Sequence, residues 1–168
     1  VLAVANKRLE AQLDAAIELG VRAVVLFGSA FLENDSFPPL SARLRAKALA
    51  AGVQLCGGNS MGFYNLDEKL FVFSQHITRN MVPGAVTYIS QSGSILTALL
   101  WNNQKLRFNL AISTGQEITN CVADYMDYAL EQPTTRVVAL FLEAVRNPAH
   151  FIAALKKANE RDIPVVAL

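Results

Sequence analysis

Short apolar runs alternate with amphipathic segments along most of the sequence, and this rhythm limits the fold more than any other feature. Leu9, Leu13 and Ile17 recur at the four-residue spacing that marks one face of a helix. Between such segments lie runs with almost no polar residue, as at 21–27 and 136–141. Strands that are apolar on both faces and separated by helices are typical of parallel sheets covered on both sides. The sequence therefore predicts an α/β fold.

The same rhythm predicts two α/β units. The predicted strands cover residues 1–5, 21–27, 53–56, 85–89, 108–112, 136–141 and 164–168. The predicted helices are one closed by Gly20, one opened by Pro38-Pro39 and closed by Gly52, and then 93–103, 120–130 and 148–161. The rhythm lapses between Gly57 and Pro83, where a glycine-rich loop at 57–62 requires positive φ angles and 70–74 forms a short extended piece. We predict units at 1–65 and 85–168, joined by a linker at 66–84.

The composition excludes several classes of protein. The chain is 52% hydrophobic and 17% charged, which is typical of a well-buried soluble domain, and its net charge of +1 gives no electrostatic case for binding nucleic acid or an anionic membrane. No apolar run reaches the length of a membrane span, and no signal-peptide pattern is present. We interpret Cys56 and Cys121 as small apolar residues of a cytoplasmic protein rather than as a disulfide.

The first residues are interpreted as part of a strand cut from a longer protein. Residue 1 already lies inside the apolar run Val1-Leu2-Ala3-Val4-Ala5, and no initiator methionine precedes it. We therefore expect strand 1–5 to lie exposed, or to be covered by a part of the protein outside these 168 residues.

A serine- and glycine-rich turn predicts an anion site. Ser90-Gln91-Ser92-Gly93-Ser94 lies where a buried strand ends and an apolar helix begins. The backbone N–H groups of a helix start lack partners within the helix, and together with the positive end of the helix dipole they favour an anion. The alternative is that Ser90 or Ser92 only caps the helix.

Polar residues follow other predicted strands at the same edge of the sheets. In open parallel sheets, ligands bind beyond the carboxyl ends of the strands. Gly28-Ser29-Ala30, Gly57-Gly58-Asn59, residues 113–117 and Glu143 all stand at such ends. A carboxylate there needs a partner, so Glu143 is a candidate for orienting a cation or a protonated imidazole. The alternative is a surface salt bridge between Glu143 and Arg146.

Other catalytic and metal-binding arrangements are not predicted. His76 and His150 have no acidic or hydroxyl partner in a recognisable motif. Ser92 lacks the first glycine of a nucleophile elbow, and neither a phosphate-binding loop ending in Gly-Lys nor a Gly-x-Gly-x-x-Gly run is present. Cys56 and Cys121 are not spaced as metal ligands, so no metal site is predicted. An anion-binding edge without a general base or nucleophile is what remains.

Four motifs, in order and at matching spacing, resemble the NDP-forming acyl-CoA synthetase superfamily, which includes ADP-forming acetate–CoA ligases and the α-subunit of succinyl-CoA synthetase. Residues 57–62, followed by Asn65, resemble its Gly-Pro-Asn-Cys-x-Gly stretch, and residues 90–94 match its Ser-Gln-Ser-Gly turn. The other two motifs are residues 113–128, similar to Ser-x-Gly-Asn-x-Ala-Asp…Asp-x-Leu-Glu-Tyr, and residues 133–143, similar to Asp-Pro-x-Thr-x-Val-Ile-x-x-Tyr-Leu-Glu-Gly.

The resemblance implies a fold and a set of roles. Residues 1–65 would be the C-terminal half of a Rossmann-like CoA-binding domain, and 85–168 a flavodoxin-like domain of the succinyl-CoA ligase type. Ser92, Gly93 and Ser94 would receive the phosphate of a phosphohistidine that lies beyond Leu168, and Glu143 would orient that histidine. Asn59 would lie near the crevice that faces CoA.

The implied reaction joins a carboxylic acid to CoA through an acyl phosphate. CoA is the implied cofactor, with ATP/ADP or GTP/GDP and Mg²⁺ bound mainly outside these residues. The implied partners are a nucleotide-grasp domain or β-subunit and further copies in an oligomer. By themselves these residues are expected to be inactive, because the phosphorylated histidine and the first CoA-binding turn are missing.

The sequence departs from the family at four motif positions, and this leaves an alternative open. Gly58 stands for proline, Gln116 for asparagine, Thr119 for aspartate and Ala144 for glycine. The alternative is a non-catalytic acyl-CoA-binding or regulatory module of the same superfamily. An unrelated flavodoxin-like domain that binds a flavin phosphate at 90–94 is a third hypothesis, but it would need aromatic residues beside the flavin, and Trp101 lies well inside a predicted helix.

Overall fold

A computed structural model describes residues 1–75, 81–101 and 106–168. Its helices are α1 (Leu9–Glu18), α2 (Leu40–Ala51), α3 (Gly93–Leu100), α4 (Val122–Glu131) and α5 (Pro148–Glu160), with a short 3₁₀ helix at Asn6–Arg8. Its strands are β1 (Ala23–Leu26), β2 (Gln54–Gly57), β3 (Gly62–Asn65), β4 (Leu70–Phe73), β5 (Val86–Ser90), β6 (Phe108–Ser113), β7 (Val137–Phe141) and β8 (Val165–Ala167). The predicted end of helix 93–103 falls outside the described residues.

The first unit is a two-stranded parallel sheet of β1 and β2, covered by α1 and α2. Its core is made mainly of leucines on the inner helix faces, and Leu9, Leu44 and Leu55 are completely buried. Gly52 ends α2 in the left-handed conformation, with φ of 67°. The Asp35 carboxylate accepts a hydrogen bond from the Leu40 N–H at the start of that helix. The helix bounds predicted from Pro38-Pro39 and Gly52 are therefore confirmed.

The prediction of a strand at 1–5 is wrong. Only Leu2 pairs with β1, in an isolated parallel bridge to Leu26, and the chain turns into a 3₁₀ helix at Asn6. The Asn6 side chain holds the start of this helix against the loop after β1, because it donates a hydrogen bond to Ser29 Oγ at 2.8 Å. Leu2 and Val4 still pack on the core, while Val1 is 65% exposed.

The second sheet has six strands in the order β4-β3-β6-β5-β7-β8. β5, β6, β7 and β8 are parallel, and β3 pairs antiparallel with both β4 and β6. All six residues of β6 are buried, as the nearly unbroken apolar run predicts for a strand covered on both faces. The structure thus confirms an α/β fold with mainly parallel sheets.

Strand pairing begins the second sheet earlier than the motif pattern suggests. β3 and β4 lie within the segments predicted as the end of the first unit and as the linker, and both belong to the second sheet. Residues 76–80 of the linker lie outside the described residues. The division into 1–65, 66–84 and 85–168 stays a prediction, while the hydrogen-bonded sheet starts at Gly62.

The loops that follow β2 and β6 join the two units. Gln116 N–H donates to Gly58 O at 2.8 Å, and Ile118 N–H donates to Gly57 O at 2.9 Å. Gly115 has φ of 61°, and a Cβ atom there would lie 2.1 Å from the Gly58 carbonyl oxygen. Glycine is therefore required at 115 both by its backbone conformation and by the close approach of the two loops.

None of the helices within the described residues has the length and apolar character needed to cross a membrane.

Replacing Gly115 by alanine should weaken this contact. The left-handed backbone alone should cost about 1–2 kcal/mol, and overpacking against the Gly58 carbonyl should add about 1–3 kcal/mol. The matched control is Gly52→Ala, which has a similar φ of 67° and no atom within 4 Å of the new Cβ. Urea unfolding of both variants measures the difference, and equal losses of unfolding free energy would contradict the tight packing of the two loops.

Candidate functional site

The carboxyl ends of β5, β6 and β7 meet at one edge of the second sheet. β5 lies between β6 and β7, and all three strands are parallel. Because parallel strands end at the same edge, the loops after them lie side by side. Ser92, Glu117 and Glu143 are on these three loops. The candidate site is built at this edge.

The loop after β5 forms the N-terminus of α3. Ser92 is the N-cap residue, and its Oγ accepts a hydrogen bond from the Ile95 N–H at 3.4 Å. The first helical backbone bond runs from Leu96 N–H to Ser92 O. Within the described residues, no hydrogen bond uses the N–H groups of Ser92, Gly93 or Ser94. Ser92 therefore caps the helix, and three neighbouring donors remain for an anion.

Gly93 allows the loop between β2 and β3 to approach this helix start. A Cβ atom at Gly93 would lie 2.5 Å from Met61 Cγ and 3.7 Å from Ser113 Oγ. The adjacent Ser60 hydroxyl donates to the Ser113 carbonyl oxygen at 2.5 Å. Ser60 and Met61, which lead from the first unit into β3, therefore lie beside the start of α3.

The side-chain amide of Gln91 links the loop after β7 to Glu117 in the loop after β6. Its Oε1 accepts hydrogen bonds from the N–H groups of Glu143 at 2.6 Å and Ala144 at 2.8 Å. Its Nε2 donates to Ala144 O at 2.7 Å and to Glu117 Oε1 at 2.9 Å. The backbone at Glu143 is therefore fastened to the residue that precedes the cap of α3.

Glu117 is a buried carboxylate in the loop after β6. Only 6% of the residue is exposed, and its backbone is left-handed, with φ of 57°. Oε1 accepts from Gln91 and, at 3.0 Å, from Thr114 Oγ1, whereas Oε2 is buried without a partner among the described residues. Burial raises the pKa of Glu117, although the bonds from Gln91 and Thr114, the nearby Val122 N–H and the charge of Arg146 oppose the rise.

The Glu143 side chain is exposed beside this network. No ion pair between Glu143 and Arg146 occurs within the described part of the chain. Arg146 acts on Glu117 instead, so the salt bridge considered as an alternative for Glu143 is not found. The position of Glu143 is set through its backbone N–H.

Asn59 lies on the first unit, in the loop after β2. Its residue is exposed, its φ is 52°, and its backbone N–H donates to Gly28 O at 2.8 Å. Gly57 and Gly62 also have positive φ, as predicted for this loop. A crevice of about 580 Å³ lies between the units nearby, and Arg45, Gln116 and Arg146 are on its walls. Two exposed guanidinium groups favour negatively charged ligands there.

Cys56, Cys121 and His150 are the described cysteines and histidine, and their contacts are with other protein groups. Cys56 and Cys121 are both free, as the sequence predicts. Cys121, Asp124 and His150 place their ligand-type atoms within 4.8 Å of one another, a grouping that cysteine spacing alone did not predict. Asp124 already caps α4 through the Cys121 N–H, and His150 Nε2 lies 2.7 Å from Asp127 Oδ2. These bonds account for the group without an ion. His76 lies outside the described residues.

Gln91 and Glu117 are two site residues to which the sequence analysis assigned no role, although both lie in segments predicted at the carboxyl edge. Gln91 stands inside the Ser-Gln-Ser-Gly turn, in which the serines and the glycine carry the prediction of an anion site. Glu117 is a carboxylate soon after a buried strand, and this is the same signal that identified Glu143. Applying that rule to every strand would have found it.

The chain is similar to a known domain family and to several acid–CoA ligases. Residues 83–168 match the family described as the succinyl-CoA ligase like flavodoxin domain. The chain is 31% identical to trans-feruloyl-CoA synthase FCS1 from an unknown prokaryotic organism, over 89% of this chain and 22% of that protein. It is 26% identical to the alpha subunit of ADP-forming acetate–CoA ligase II of Pyrococcus furiosus, over 100% of this chain and 36% of that subunit. The chain thus spans less than two fifths of these relatives.

Solved structures show the same fold. PH0766 from Pyrococcus horikoshii OT3 superposes with a TM-score of 0.88 at 25% identity, over 99% of this chain and 38% of that one. The dinucleotide forming acetyl-coenzyme A synthetase 1 of Ca. Korarchaeum cryptofilum, in complex with phosphate and ADP, superposes with a TM-score of 0.88 at 22% identity, over 99% of this chain and 36% of that one. These structural matches confirm the fold, and the family match together with the acid–CoA ligase relatives confirms the resemblance that the four motifs predicted.

The raised pKa of Glu117 predicts a pH-dependent difference between the wild-type chain and Glu117→Gln. Below the ordinary carboxyl pKa of 4.5, residue 117 is protonated in both folded and unfolded wild type. As the pH rises from there through the folded-state pKa, the wild-type chain loses stability, because folding opposes ionisation of the buried group. Glutamine cannot ionise, so the variant should gain unfolding free energy relative to wild type over that range.

Urea unfolding at a series of pH values measures this gain. Glu143→Gln, which removes an exposed carboxylate from the neighbouring loop, is the control and should not reproduce it. A constant difference between Glu117→Gln and wild type at every pH would contradict the assignment.

Proposed function

Because the chain belongs to the succinyl-CoA ligase like flavodoxin domain family, we propose that it is part of an acid–CoA ligase that forms an acyl-CoA from a carboxylic acid, CoA and a nucleoside triphosphate. The observation that carries the proposal is the start of α3, where three neighbouring N–H donors at the carboxyl edge of the sheet have no hydrogen-bond partner among the described residues. Relatives named as ADP-forming acetate–CoA ligases support it.

In the proposed reaction, a histidine outside these 168 residues accepts the terminal phosphoryl group of the nucleotide. The carboxylic acid then takes the phosphoryl group and becomes an acyl phosphate. The CoA thiol attacks the acyl carbon, and inorganic phosphate leaves. The sum is acid, CoA and nucleoside triphosphate converted to acyl-CoA, nucleoside diphosphate and phosphate. Phosphate is present on the histidine, on the acid and as the free product, so a preformed anion site serves each stage.

Each site residue has a role in this proposal. The N–H groups of Ser92, Gly93 and Ser94 receive the phosphate, because they point out of the helix start and carry the positive end of its dipole. Glu143 accepts a hydrogen bond from the other nitrogen of the histidine and holds the ring in place. Asn59, on the loop after β2, contacts CoA. Nucleotide and Mg²⁺ bind mainly outside these residues, on a nucleotide-grasp domain or a second subunit.

Phosphate should bind weakly at residues 92–94 of this chain, and Glu143→Gln should strengthen the binding. A helix start contributes only about 0.3–1 kcal/mol toward an exposed anion, and the Glu143 carboxylate on the adjacent loop repels that anion. NMR titration with inorganic phosphate measures both chains, with Glu18→Gln on α1 as a control that removes a distant carboxylate. Shift changes centred away from residues 90–95 would refute the site.

The complete protein that contains these residues should incorporate labelled phosphate from ATP and convert a carboxylic acid and CoA to an acyl-CoA. Glu143→Gln should slow the labelling by about tenfold or more, because the histidine loses the group that orients it. The 168-residue chain alone should form no acyl-CoA. A complete protein that binds acyl-CoA without labelling or product would instead support the non-catalytic regulatory alternative.

A further inference from the structure

We propose that Gln91 and Glu117 are positioning residues that fix the backbone carrying Glu143 against the start of α3. This role rests on the proposed function, because it matters only if Glu143 has to hold a histidine beside a phosphate. Neither residue touches the reacting groups in this proposal. Both act through the loop between β7 and α5.

The Gln91 amide has one orientation that satisfies its neighbours. Its carbonyl oxygen lies against two N–H groups, those of Glu143 and Ala144, and its NH₂ group lies against two acceptors, Ala144 O and Glu117 Oε1. Rotating the amide by half a turn would set donors against donors and acceptors against acceptors. All four hydrogen-bonding positions of the side chain are therefore committed to the 143–144 loop and to Glu117.

The four hydrogen bonds of the Gln91 amide form a clamp on the 143–144 loop. Glu117 connects this clamp to the first unit. Its Oε1 holds the Gln91 NH₂ group, while its neighbours Gln116 and Ile118 donate backbone hydrogen bonds to Gly58 and Gly57. The loop carrying Glu117 is thus bonded on one side to the loop that carries Asn59 and on the other to the residue that holds Glu143. Through this loop the backbone position of Glu143 is linked to the first unit.

Glu143 depends on the clamp because its own side chain is exposed and makes no hydrogen bond or ion pair that the described residues show. Among the described residues, the backbone alone restricts where its carboxylate can be. Loosening the clamp should therefore lower the rate of histidine phosphorylation while leaving nucleotide affinity unchanged. A displacement of about 1 Å in a catalytic group can cost on the order of a hundredfold in rate.

The test uses the complete protein that contains these residues and four variants of it. Glu117→Leu removes the acceptor for Gln91, whereas Glu117→Gln keeps a carbonyl oxygen in its place. Gln91→Asn keeps the amide but shortens its reach. Thr135→Val is the matched control, because Thr135 is fully buried in a hydrogen-bonded group with Asn109 and Thr87 at the opposite end of the same strands.

The rate constant of phosphohistidine formation from ATP should fall about tenfold or more in Glu117→Leu and Gln91→Asn. The KM for ATP should stay within about twofold of wild type, since the nucleotide binds elsewhere. Glu117→Gln should retain most of the wild-type rate, and Thr135→Val should lose stability without losing rate. Hydrogen exchange at residues 143 and 144, followed by mass spectrometry, should quicken in the two slow variants only.

The outcomes separate the two proposals. Wild-type protein that forms neither phosphohistidine nor acyl-CoA overturns the proposed function, and this role with it. Wild-type protein that forms both, with Glu117→Leu and Gln91→Asn equally fast, overturns the positioning role alone. Faster exchange at 143–144 with an unchanged rate also overturns it. If Glu117→Leu does not fold, Gln91→Asn and Glu117→Gln decide the question through the same rate and exchange measurements.

Discussion

The central strand β6 is the constraint on which the rest of the structure depends. Its six residues are buried, and it pairs with β5 on one side and with β3 on the other. Because both of its edges are hydrogen-bonded, β6 has no freedom to slide, and the loop that follows it starts from a fixed point. That loop meets the first unit through Gly115, Gln116 and Ile118 and meets the loop after β5 through Glu117. One strand thereby sets the spacing between both halves of the site.

The buried carboxylate of Glu117, in the loop after β6, lowers the unfolding free energy because it is not fully hydrogen-bonded. Glu117 Oε2 has no partner among the described residues, and burial raises the pKa of the group. Leaving a buried polar group unsatisfied costs about 1–3 kcal/mol. A leucine would fill the space without that cost but could not hold the Gln91 amide. The geometry of Gln91 therefore gives a physical reason for a hydrogen-bond acceptor at this place.

Most of the fold could be predicted from the sequence, and the contacts that complete the site could not. The parallel strands and their helices follow from local patterns, since apolar runs and caps such as Gly52 act within a few residues. Residues 1–5 have the pattern of a strand but make only one bridge, and the pairing of β3 with β6 depends on contacts across the chain. Ser92 was found because a helix cap is local. Gln91 was missed because its partners lie 26 and 52 positions away.

The helix start and Glu143 have opposite electrostatic preferences, and this contrast restricts what can lie between them. The free N–H groups of residues 92–94 favour negative charge, whereas the carboxylate on the adjacent loop disfavours it. A simple anion satisfies only the first. A phosphorylated imidazole satisfies both, because its phosphate accepts from the N–H groups while its other ring nitrogen donates to the carboxylate. The clamp formed by Gln91 then matters because the two preferences can be met together only if the two loops keep a fixed separation.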